Sequence, residues 1–160
     1  MNYVQALWRG VDHERDEGAV AVQSSHPLFG RLVHYERYEG PGHWEALLSH
    51  PRTGARFTIV MPGGADVPIQ PFANFYRRAV GSADALMRRV AVQLRAAVAA
   101  HCVEQRIEPQ RGELELEVLT LPAAGREDGR WSACYHATAI DAHFEVHFWG
   151  AEIRKVCSLD

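Results

Sequence analysis

Apolar residues change their spacing once along this chain, and that change limits the folds open to it. Leu86, Val90, Leu94, Val98 and Cys102 recur every four residues, with Met87, Ala91 and Ala97 beside them. That stripe is the core side of a long helix over residues 83–105. Ser82 precedes it as a side-chain N-cap, and Asp84 suits the positive end of its first turn. Pro109 and Gly112 then close the segment. Beyond them the period falls to two. Glu113-Leu114-Glu115-Leu116-Glu117-Val118 alternates acidic and apolar side chains, the pattern of a half-buried strand.

The same reading continues to the end of the chain. Strands are expected over 131–140, 143–149 and 153–158, with a loop over 122–130, a tight reversal at Asp141-Ala142 and a turn at Gly150. Before the helix, residues 12–18 read as a polar loop and 19–23 as a short strand. Strands over 32–38, 44–48 and 56–61 follow, separated by Glu39-Gly40-Pro41-Gly42 and Pro51-Arg52-Thr53-Gly54. Pro68 and Pro71 bracket a loop into a short helix over 72–80, which Gly81 ends. The expected class is α+β: an antiparallel sheet, curved or in two parts, with one long helix and one short helix packed on it. One domain is expected over 1–160, with a strand meander over 19–61, helices over 72–105 and a strand block over 113–158.

The chain has 160 residues, 47% of them hydrophobic and 23% charged, so one core needs neither disulfides nor metal to hold it. Cys102, Cys134 and Cys157 are an odd set without a C-x-x-C spacing and read as small core residues in a reducing compartment. No run of about 18 apolar residues is present, and the first nine residues do not read as a signal peptide. The expectations are a cytoplasmic location, no membrane partner, and a monomer or weak dimer.

Charge is unevenly spread. Residues 72–111 carry a balance of +4, whereas residues 112–160 carry -5. The net charge of -3 and the lack of a basic stripe interleaved with aromatics argue against nucleic acid. Arg77, Arg78, Arg88, Arg89 and Arg95 would meet an anion or an acidic partner only if they cluster.

Two constellations stand out. Glu113, Glu115 and Glu117 form an acidic row on one strand face, suited to a basic partner. His143, Glu145 and His147 share a face of the next-to-last strand, opposite Phe144, Val146 and Phe148. Alternation reads the polar face as the wet one. Two imidazoles and a carboxylate suit a divalent ion, but residues four apart on a strand lie roughly 13 Å from each other. His143 and His147 therefore cannot ligate one ion, and neither metal nor cofactor is expected. His101 and Cys102 point about 100° apart on a helix and form no nucleophile–base pair. No nucleophile elbow, zinc-protease motif, Walker loop or dinucleotide fingerprint occurs. No catalytic residue is assigned.

The run Asp141-Ala142-His143-Phe144-Glu145-Val146-His147-Phe148, followed by Gly150, Ile153 and Val156, resembles the closing hairpin of certain bacterial domains of unknown function. His26-Pro27-Leu28-Phe29-Gly30 is similar to their entry segment. Those domains place strands, a helix, then strands in this order, and several are immunity proteins that neutralise toxins delivered between bacteria. The resemblance implies binding rather than catalysis and transfers no contact residue. The expected function is a protein-binding module, an immunity protein that blocks a cognate toxin. Glu113, Glu115, Glu117, His143, Glu145 and His147 are its candidate contacts and a basic toxin domain its candidate partner. The alternative is a small enzyme or metal-binding protein centred on His143, Glu145 and His147.

Overall fold

The structure, a computed structural model, describes residues 22–37, 39–109 and 111–160. The polar loop over 12–18 and the start of the first expected strand lie outside those residues. Eight strands form a single sheet in chain order. They are β1 (Val22–His26), β2 (Gly30–Tyr35), β3 (His43–Ser49), β4 (Arg56–Pro62), β5 (Leu114–Thr120), β6 (Arg130–Ala137), β7 (Ala142–Trp149) and β8 (Glu152–Ser158). Two α-helices, α1 (Gln70–Phe75) and α2 (Ala83–Gln105), lie between β4 and β5. The class is α+β, and the sheet is one piece rather than two.

One pairing departs from the antiparallel expectation. β4 and β5 run parallel, with Thr58 opposite Val118 and Val60 opposite Thr120. Turns reverse the chain between the other neighbours, which pair antiparallel. Between β4 and β5 the chain instead crosses through both helices, and such a crossover can return a strand in its original direction. The long helical insertion was legible in the sequence; its consequence for strand direction was not drawn from it.

Ser82 caps α2 as its hydroxyl accepts from the Ala85 amide at 3.0 Å. Leu86, Val90 and Leu94 are completely buried and Cys102 nearly so, while Val98 is only partly covered. The short helix begins earlier than its apolar pattern implied. Pro71 lies in the first turn of α1 rather than in the preceding loop, where its missing amide hydrogen has no intrahelical partner to lose. The chain then widens into a π-helical turn over Tyr76–Val80, closed by the Gly81 amide on the Tyr76 carbonyl at 2.8 Å. Gly81 adopts φ 78, a conformation that glycine reaches without Cβ strain.

One apolar cluster joins both halves of the sheet to the helices. It includes Leu32, Trp44 and Ile59 from the first half, Leu86, Val90 and Leu94 from α2, and Phe144, Val146 and Phe148 from β7. Full burial of each such side chain contributes roughly 1.5–3 kcal/mol. The reversal into β7 is a four-residue turn over 138–141, not a two-residue one. Asp141 supplies the positive φ, 49°, that glycine supplies elsewhere.

Candidate functional site

The two sides of β7 differ in chemistry but much less in wetness. Phe144, Val146 and Phe148 face the core at 0–2% exposure. On the opposite side Glu145 is also 0% exposed. The expectation that this side is simply the wet one is therefore corrected: its centre is dry. In register, Glu145 lies opposite Cys134 on β6 and Cys157 on β8.

At one end of this face, carboxylates surround a pair of stacked imidazoles. His136 and His143 are register partners whose rings lie 4.5 Å apart at 14°. A bulge in β5 between Leu116 and Val118 makes Glu117 an extra residue. Its two oxygens reach the two rings, 3.7 Å to His136 Nδ1 and 3.4 Å to His143 Nε2. Asp141 adds a 2.9 Å contact to His136, and Asp160 accepts from the His143 amide at 2.7 Å. Glu113 is exposed and Glu115, opposite His136, is half-buried at the same corner. Glu117, His136 and His143 bring three possible metal ligands together. Their present geometry does not fit one ion, because an imidazole binds a metal close to its own ring plane. Two nearly parallel stacked rings cannot both direct a lone pair at an ion about 2.0–2.1 Å away. What the corner offers is negative charge held on short tethers.

The middle of the face holds Glu145, His147 and Cys157. His147 Nε2 lies 3.0 Å from Glu145 Oε2, close but not aligned as a hydrogen bond. Burial, the dominant cause, pushes the Cys157 thiol pKa up; Lys155 opposes the shift and Glu145 adds to it. A raised thiol pKa lowers the thiolate fraction on which nucleophilic reactivity depends. His143 and His147 belong to separate clusters, and the sequence-predicted trio is not one site.

The far end is basic. A groove of about 570 Å³ has Thr120, Ser132 and His147 on its floor and Arg130, Arg154 and Lys155 around it. Thr120, Ser132, His147 and Lys155 form one register row across β5 to β8. A bulge between His147 and Phe148 accommodates Arg154 as an extra residue on β8, so two consecutive cations line the groove. Trp149, 48% exposed, carries the Arg130 guanidinium 4.7 Å from its ring and that of Arg154 at 5.3 Å. The -5 balance of residues 112–160 concealed this groove, because a summed charge erases the segregation of opposite signs. The usable signal was the alternation of Arg130 and Ser132 on β6, matched by His147 and Trp149 on β7.

The helix-region arginines have separate engagements. Arg78 pairs with Glu127 at 2.9 Å, and Arg89 donates to the Ala79 and Ala151 carbonyls. Arg95 lines a cavity of about 300 Å³ with His50, Asp84, Glu113 and Glu115. No helix of the described residues is long and apolar enough to cross a membrane. No protein-family model, curated protein or solved structure matches the chain.

Proposed function

We propose that this chain is a protein-binding module that receives a basic protein at the acidic corner of β5 to β7. The observation that carries the reading is the convergence of Glu117, Asp141 and Asp160 on the stacked His136 and His143. Carboxylates outnumber imidazoles at this corner, and Asp141 and Asp160 are 90% and 46% exposed. Such a surface accelerates encounter with a positive partner and disfavours a negative one. Glu145 is withdrawn from the contact set because it is buried; its role is to hold the face together. The resemblance of the closing hairpin narrows the class to immunity proteins, with a toxin domain as the basic partner. The test is co-purification with the product of the adjacent reading frame, followed by the same experiment with Glu113→Lys and Glu115→Lys combined. A complex weakened by these changes supports the proposal. A complex that ignores them, or no complex at micromolar concentration, removes it.

A second reading, a metal-binding protein, is favoured by one observation. Glu145, His147 and Cys157 are a mixed oxygen, nitrogen and sulfur donor set of the kind zinc accepts. The primary reading expects no stoichiometric metal. About one zinc per chain, lost on Cys157→Ser and kept on His143→Ala, would favour the second.

A further inference from the structure

The groove at the opposite end of the face is unused by the proposed docking corner. We propose that it binds a small phosphate-bearing ligand, with Arg130, Arg154 and Lys155 supplying charge and Thr120 and Ser132 supplying hydroxyls.

Three observations converge on this chemistry. First, cations outnumber their local anions. Arg154 has Glu152 at 3.2 Å, but Arg130 and Lys155 have no carboxylate partner among the described residues. A groove with two cations that no carboxylate among the described residues pairs suits a dianion better than a carboxylate, whose single charge one arginine satisfies. Second, the floor holds an unmet hydrogen-bonding group. Thr120 is 9% exposed, and its Oγ1 is buried with no hydrogen-bond partner among the described residues. Ser132, 7% exposed, is its register neighbour. A buried hydroxyl without a partner is costly, and a phosphate oxygen relieves that cost by accepting its hydrogen. Third, the guanidiniums are held beside Trp149, which restricts two long side chains before any ligand arrives. The groove volume falls within the range of small-molecule pockets and exceeds that of a bare phosphate, which leaves room for an ester substituent.

The experiment is titration of the purified protein with inorganic phosphate and, separately, with adenosine monophosphate. Calorimetry and tryptophan fluorescence are read together, because Trp149 borders the groove. The expected result is saturable one-to-one binding that weakens about tenfold or more in both Lys155→Gln and Thr120→Val. The first replaces an exposed side chain and the second keeps the shape of threonine, so circular dichroism should report intact folds. Arg88→Gln, on the exposed side of α2, should bind as wild type. Tighter binding of the nucleotide than of phosphate identifies an ester as the ligand. Equal binding identifies the free ion, and either result upholds the site. Binding that fails to saturate overturns it, as does an equal loss in Arg88→Gln. So does binding of a single-stranded oligonucleotide with neither small phosphate bound, which would indicate backbone electrostatics alone.

Discussion

The core side of β7 and its open side teach different things about burial. Both are largely excluded from water at their centres, since Phe144, Val146 and Glu145 are each 0% exposed. The core side is dry because α2 and the central cluster supply apolar neighbours. On the open side Glu145 is buried between Cys134 and Cys157 in register, while His143 and His147 on the same side of β7 keep 17% and 22% of their side-chain exposure. Alternation thus reveals which residues share a face. It does not reveal whether a polar face is wet, because burial depends on contacts made by residues distant in sequence.

The largest effects should come from the core side. Phe144→Ala should cost about 3–5 kcal/mol and Leu94→Ala about 2–5 kcal/mol in denaturant unfolding, since both side chains are wholly buried. A loss under about 1 kcal/mol at Leu94 would contradict the packing of α2. The open side is distinguished by Glu145→Ala. If its face were solvated, the change would stay within about 0.5 kcal/mol. Truncation of the wholly buried Glu145 beside half-buried His147 instead predicts a loss of about 1–3 kcal/mol. Ser82→Ala, at a cap belonging to neither side, should cost about 1 kcal/mol and lower helix content slightly.

The smallest effect is a pH dependence on the open side. Burial raises the Cys157 thiol pKa, so the neutral thiol favours the folded state. That contribution is complete below the ordinary thiol pKa and disappears as pH rises through the raised value. Alkylation mapped by mass spectrometry should therefore reach half-maximal rate at Cys157 above the pH typical of an exposed thiol. A midpoint at or below that pH would contradict the burial.

Legibility followed the same division. The bounds of α2, its Ser82 cap and most strands were readable because each depends on local spacing or a single capping residue. The parallel β4–β5 pair was missed, since direction is set by a crossover rather than by any strand's own pattern. The candidate site was legible as residue types but not as groups. His143, Glu145 and His147 are neighbours in sequence, yet register assigns His143 to Glu117 and His136, and His147 to Glu145 and Cys157. The β5 bulge that carries Glu117 to both rings left no trace in the strict alternation of residues 113–118. Arg130, Arg154 and Lys155 come together only through strand pairing and a second bulge.

If the acidic corner attracts a basic partner, association kinetics should show it. Stopped-flow on-rates with a basic protein recovered by co-purification would be measured across a salt series. Wild type would be compared with Glu113→Lys plus Glu115→Lys, and with Arg88→Glu as the opposite control. The wild-type on-rate should fall as salt rises, and the Glu variant should associate about tenfold more slowly at low salt, with dissociation changed less. A normal on-rate in the Glu variant, with slowed association in Arg88→Glu, would move the docking surface to the helix and contradict docking at the acidic corner.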